Sequence, residues 1–263
     1  MRFKSFYGLV FLVIAASFPS YSDEEERAQA AFSHATQVLA EYRNTTNHEL
    51  LFDADSSIER AWQDYTYHHG MEGDLPRDLA ILRARSATAR RDKSRVSEAW
   101  EIAIGLQPMD LSKSGRLNLN IAAAYATAKV GDHVAAQRYF SVARTYAFLR
   151  DKNAKDLQLQ LRIQELRFVG RSLEWRKLND NLMDMRKFSE GFAMWTLPRL
   201  EALLGEAEIR LMFEPERDEK RSNLATLKAK IILLTKGMEG ELPSRYIDRI
   251  RAYYYAIEDG YNL

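Results

Sequence analysis

Residues 121–143 read IAAAYATAKVGDHVAAQRYFSVA. Alanine, the strongest helix former, fills the first half. Gly131-Asp132 then supplies a turn, and Ala136, Phe140 and Ala143 follow at steps of four and three. Residues three and four apart share one helix face, so the segment predicts two helices joined by a tight turn and packed through small side chains.

The same spacing recurs on both sides of this stretch. Trp175, Leu178, Leu182 and Met185 form one apolar stripe. Leu224, Leu227, Ile231 and Leu234 form a second, and Tyr246, Ile250, Tyr253 and Ile257 a third. Runs of alternating β-branched residues bounded by hairpin turns are nearly absent. Turn residues divide the chain evenly: helix starts near Leu75, Ser114, Asn153 and Phe192 lie 39 residues apart, with internal turns at Lys93, Gly131 and Gly170. A hairpin with apolar faces on both helices cannot bury them alone, so neighbours must stack. The expected fold is all-α, a right-handed α-solenoid of antiparallel helical hairpins with a period near 39 residues. Residues 23–70 are expected to form an N-terminal cap hairpin, with helices at Glu24–Arg43 and Ser56–His69 joined by a longer polar loop. Residues 75–236 would be stacked hairpins and 242–263 a C-terminal capping helix.

Ala122-Ala123-Ala124-Tyr125, the Gly131-Asp132 turn and the Ala136, Phe140, Ala143 series resemble a tetratricopeptide repeat. The likeness covers about one unit. It departs in carrying extra residues between Tyr125 and Gly131 and in having a longer period than that family's. Ala99, Ala103 and Leu106 keep a similar spacing, while Gly170–Met185 keeps only a turn and an apolar stripe. The resemblance implies a protein or peptide partner held on a groove lined by first helices. On that basis Arg116, Asn118, Asn120 and Lys129 are groove candidates.

The first 22 residues predict a cleaved signal peptide: Arg2 and Lys4, then an uncharged stretch with a continuous apolar run from Leu9 to Ala16, then Pro19, Ser20 and Ser22. The run is short for a membrane span, which needs about 20 residues; retention as an anchor is the alternative. Cleavage near Ser22 would give a periplasmic or secreted protein with no stable membrane span. The chain of 263 residues has no cysteine, which excludes disulfides, thiolate zinc sites, iron–sulfur clusters and cysteine nucleophiles, and suits a bacterial periplasm. Its 38 basic and 37 acidic side chains argue against a nucleic-acid partner, which would call for a basic excess. The near balance hides a basic window from Arg77 to Arg95 and acidic runs at Asp23–Glu26 and Glu214–Glu219.

Motifs for chemistry are missing. There is no Gly-rich phosphate loop, no Gly-x-Ser-x-Gly elbow and no Ser-x-x-Lys pair. His34, His48, His68, His69 and His133 do not show metalloprotease spacing. No catalytic, metal-ligating or cofactor-binding residue is therefore assigned. Glu190, in a turn before Gly191-Phe192, raises the alternative of a cell-wall hydrolase. Arg83 and Arg90 stand for the basic window, as a patch for an acidic partner or as a solvated helix face paired with its neighbours. Tyr253, Tyr254 and Tyr255, with Tyr246 and Tyr261, form an aromatic cluster of which one member at least should stay exposed and available for docking. The expected function is an exported, non-enzymatic scaffold or accessory module that binds a protein or peptide. The alternatives are a cell-wall hydrolase and a periplasmic small-molecule sensor.

Overall fold

Two turns set the pattern of the chain. At each, a residue in the left-handed region is followed by an aspartate: Arg91 (φ 59°) by Asp92, and Gly131 (φ 80°) by Asp132. The Asp92 N–H donates to Ala87 O at 2.9 Å and the Asp132 N–H to Thr127 O at 2.8 Å, which closes the preceding helix with the six-to-one bond of a Schellman motif. Each aspartate then caps the next helix, accepting from the Arg95 N–H at 3.1 Å and the Ala135 N–H at 3.3 Å. One residue thus ends one helix and starts the next, and the helices on either side of Gly131-Asp132 pack along each other.

The left-handed backbone is free for glycine and costs other residues about 1–2 kcal/mol. A Cβ on Gly131 would meet nothing within 4 Å, so only the backbone resists it. Gly131→Ala should lower stability by about 1 kcal/mol, and Arg91→Gly should raise it by about as much. Urea midpoints of the two variants check this; equal midpoints would show that neither turn is strained.

The computed structural model describes residues 21–107, 111–150, 154–215, 218–238, 240 and 242–260. Among them it contains no strand. The helices are α1 (Tyr21–Thr45), α2 (Glu49–His69), α3 (Asp74–Arg90), α4 (Lys93–Gly105), α5 (Lys113–Lys129), α6 (His133–Arg150), α7 (Lys155–Val169), α8 (Trp175–Ser189), α9 (Leu197–Phe213), α10 (Asp218–Gly237) and α11 (Ser244–Gly260). A short 3₁₀ turn, Gly170–Ser172, follows α7. The chain is all-α, with its helices packed as neighbouring pairs. The predicted signal peptide lies outside the described residues, apart from Tyr21 and Ser22 at the start of α1. No helix among the described residues is long and apolar enough to cross a membrane.

The chain divides into two compact units, Met1–Leu79 and Ala80–Leu263, with the division inside α3. In the first, α1 packs along α2. Ala28, Ala35, Ala54 and Ala61 are fully buried and leave the two backbones close. Ile58, Leu51 and Leu39 fill the remaining interior. His68 Nε2 lies 2.5 Å from a Glu24 carboxylate oxygen, and His34 Nδ1 lies 3.0 Å from Ser57 Oγ. The long polar loop expected here is absent. α2 begins at Glu49, not near Ser56, and only Thr46, Asn47 and His48 separate the helices. Asp53 and Asp55 were misleading as loop residues, because Leu51, Ala54 and Ile58 carry a buried helical stripe past them.

In the second unit, α5 packs on α6, α6 on α7, α8 on α9 and α9 on α10. Alternate helices also touch in a row, α5 with α7, α7 with α9 and α9 with α11. Phe140 is fully buried beside Ala136 and Ala143, and its ring meets Tyr125 edge to face at 5.6 Å. The three apolar stripes read from the sequence are internal. Leu178, Leu182 and Met185 pack on Leu159, Ile163, Ala202 and Ile209. Leu224, Leu227, Ile231 and Leu234 pack with Tyr246, Tyr253 and Ile257 around Leu200 and Leu204. α9 is enclosed by α7, α8, α10 and α11, and Gly205 lets α7 approach: a Cβ there would sit 2.8 Å from an Ile163 methyl. The helix starts are less even than the sequence suggested. Asp74, Lys113, Lys155 and Leu197 lie 39, 42 and 42 residues apart. The helix expected near Phe192 begins only at Leu197, because residues 190–196 form a loop.

Asp132 also ties one hairpin to the next. The Ser97 hydroxyl of α4 donates to its Oδ2 at 2.6 Å, and Lys93 Nζ lies 3.8 Å from Oδ1. Burial works to raise the Asp132 carboxyl, but the Ser97 hydroxyl, the Ala135 N–H, Lys93 and Arg138 outweigh it and hold it below its ordinary value. A depressed carboxyl stabilises the fold above the unfolded value, near pH 3.9, and loses that contribution as pH falls through the folded one. Asp132→Ala should cost about 1 kcal/mol at neutral pH, as the loss of a helix cap does. The gap between wild type and variant should shrink below about pH 4, read from melting temperatures across an acid series.

Candidate functional site

The loop between α8 and α9 is held by its own backbone. The Gly191 N–H donates to Phe188 O at 3.2 Å and the Phe192 N–H to Ser189 O at 3.1 Å, giving two successive tight turns. Arg199, in the first turn of α9, reaches back to donate to Phe192 O at 3.3 Å and Glu190 O at 3.0 Å. Pro198 sets the start of α9, where a missing N–H costs nothing.

Between these fixed points Trp195 has a φ of 64°. A bulky residue in the left-handed region is an outlier and is retained only where its surroundings enforce it. Here the ring lies against the end of α10. A Cβ on Gly237 would collide with it, so only glycine admits the indole at that place. Trp195 is still 39% exposed, and Met194 and Leu233 beside it are each 63% exposed.

These residues border a cleft of about 210 Å³ formed by α8, the loop, α9 and α10. Its apolar wall is Met194, Trp195, Leu203, Leu233 and Leu234; its polar residues are Arg186, Ser189, Glu190, Arg199 and Lys230. Arg186 is balanced from below: its Nε donates to Glu206 Oε2 at 2.9 Å, and its Nη2 contacts Glu206 Oε1. Arg199 bonds carbonyl groups rather than a carboxylate. Lys230 is exposed and has no ion-pair partner among the described residues. Glu190 supplies the only carboxylate among the described residues of the lining, which therefore carry a positive excess.

Beneath the cleft runs a buried ion network. Glu206 accepts from Arg210 Nε at 2.8 Å. Arg210 donates onward to Glu214 at 3.1 Å and to Asn179 Oδ1 at 2.9 Å, and Asn223 donates to Glu214 at 2.8 Å. The Arg210 guanidinium also stands 5.5 Å from the centre of the Trp175 ring. Two carboxylates meet two guanidiniums, so the network is neutral. Glu214, read from the sequence as part of an acidic run, belongs to this interior. A second, open hollow of about 500 Å³ lies at the turn after α7, lined by Gly170, Leu173, Trp175, Leu178 and Phe213, with Arg171 and Met212 at its edge.

The residues singled out in the sequence are spread over several places. On α5, Asn118 and Lys129 are exposed and lie on one face, whereas Arg116 and Asn120 turn inward. Asn120 is 2% exposed and donates to Arg116 O at 2.8 Å, so it is a buried structural residue rather than a groove contact. Arg116 is half-buried and donates to Leu111 O at 3.2 Å. Arg83 and Arg90 share a half-buried face of α3. The basic window is not a single field: Arg77 bonds Asp74 and Asp78, Lys93 approaches Asp132, and Arg95 approaches Asp92. Tyr253 is buried and donates to Leu224 O at 2.8 Å, which makes it part of the core and not a docking residue. Tyr254 is half-buried under Lys228, and burial pushes its phenol up. Tyr255 is exposed, and Tyr261 lies outside the described residues. Of the described ones none lines the cleft. Glu190, weighed in the sequence as a lone carboxylate, does. Trp195, Leu233 and Lys230 were missed; the available signal was Met194-Trp195, two large apolar residues between a glycine turn and Pro198.

No family model, curated protein or solved structure matches this chain.

Proposed function

We propose that the protein is an exported, non-enzymatic interaction module of tetratricopeptide-like, solenoidal build that holds a segment of another protein at the Trp195 cleft. The observation that carries this reading is the cleft itself: an exposed tryptophan, fixed in a strained conformation, at the mouth of a cavity of about 210 Å³. Small-molecule sites run about 300–1,000 Å³, so this one suits a single anchoring side chain, the usual centre of a protein interface. The row of α5, α7, α9 and α11 supports the repeat reading, since stacked hairpins bring alternate helices together. Among the described residues the lining carries one carboxylate, which supports a binding rather than a hydrolytic reading, because glycoside cleavage ordinarily uses two.

Crosslinking pull-down from the intact organism tests this, with the protein tagged at its C-terminus. One stoichiometric partner should be recovered with wild type and lost with Trp195→Ala. A partner retained by the variant, or digestion of wall fragments by the purified protein, would overturn the reading. The mass of the exported protein should correspond to a start after Ser22. A small-molecule receptor is a second reading, favoured by the hollow of about 500 Å³ at Trp175, which falls in the size range of such sites.

A further inference from the structure

We infer that the occupant of the Trp195 cleft is an acidic protein segment, seated by one apolar side chain against Trp195 and by its carboxylates against Arg199 and Lys230. This rests on the interaction reading above and adds the chemistry of the partner. The apolar requirement comes from the wall, where Met194, Trp195 and Leu233 remain open to solvent. The acidic requirement comes from the rim. Arg186 is neutralised by the buried Glu206 and contributes no net field. Arg199 spends its N–H groups on the Glu190 and Phe192 carbonyls, which fix its position without cancelling its charge. Lys230 stands across the cleft on α10 with no ion-pair partner among the described residues. Against these two cations the described residues of the lining set only Glu190, so a lysine-bearing segment meets repulsion and a glutamate-bearing one attraction. The cleft is concave and admits about one side chain, which fits a peptide better than a membrane surface, where a helix lays down a broad apolar face. The Trp195 backbone is already held at φ 64°, so the anchor site needs no ordering when a partner arrives.

The probes are a fluorescein-labelled peptide with one phenylalanine among glutamates and its counterpart with every glutamate replaced by lysine. Anisotropy at low salt should show the acidic peptide binding about tenfold tighter or more, with the gap narrowing as salt is added. Lys230→Glu should weaken the acidic peptide about tenfold and favour the basic one. This residue is exposed and holds no other element in place, so circular dichroism of the variant should match wild type. Equal affinity for the two peptides would overturn the inference. So would a Lys230→Glu variant that binds the acidic peptide unchanged, or Trp195-dependent binding to phosphatidylglycerol vesicles with none to peptide. If the pull-down partner depends on Trp195 while the peptides are not discriminated, the acidic occupant falls and the interaction reading stands. If that dependence is also missing, both fall.

Discussion

Arg210→Ala is expected to destabilise the second unit by about 3–5 kcal/mol, the cost of removing one partner from a buried ion pair. The Arg210 and Glu206 side chains are 3% and 1% exposed, so neither charge can be rescued by water. Without Arg210, among the described residues Glu206 keeps only Arg186 and Glu214 keeps only Asn223, while Asn179 loses the Arg210 donor. A domain is stable by only about 5–15 kcal/mol, so the loss should appear as a large drop in urea midpoint. Glu206→Met combined with Arg210→Met should cost much less than the two single changes added, since the pair leaves together. Simple additivity in that cycle would mean that the two side chains do not act as a unit. The network also carries the cleft: Arg186 lines it and is positioned by Glu206, so Arg210→Ala should weaken the proposed partner binding even where the protein stays folded.

Phe140→Ala is expected to cost a similar amount, about 3–5 kcal/mol. The ring is completely buried, and its neighbours on the same face are Ala136 and Ala143, which have no side-chain length with which to fill the void. The edge-to-face contact with Tyr125 goes with it. Phe148, on the same helix and 50% exposed, is the control: Phe148→Ala should move the midpoint by no more than about 0.5 kcal/mol. Equal effects at the two positions would sink the assignment of Phe140 to the centre of the α5–α6 hairpin.

Much of the fold was legible because helices announce themselves locally. Ala136, Phe140 and Ala143 at steps of four and three must share a face, and that face is buried. Gly131-Asp132 marks a turn in the sequence for the same reason that it makes one: glycine accepts the left-handed backbone and aspartate caps the next helix. Arg91-Asp92 builds the same turn without glycine, and its equivalence to Gly131-Asp132 shows only in the hydrogen bonds. The start of α2 was misplaced because Asp53 and Asp55 outweighed a buried stripe running past them.

The candidate site was not legible, and the reason is physical. Glu206, Arg210 and Glu214 are four residues apart on one helix, a spacing that equally describes a charged surface face. Burial decides between the two, and burial depends on Asn179, Arg186 and Asn223 arriving from α8 and α10. Trp195 likewise becomes a site only through Gly237, far along the chain, which lets the indole rest against α10. By itself the sequence determined the helices, most of their buried stripes and two of the turns, because those depend on neighbours within a few residues. The tertiary structure alone decided which charges lie inside, which tyrosine faces out and where an aromatic cleft opens, because each of these depends on surfaces that meet only when distant helices pack.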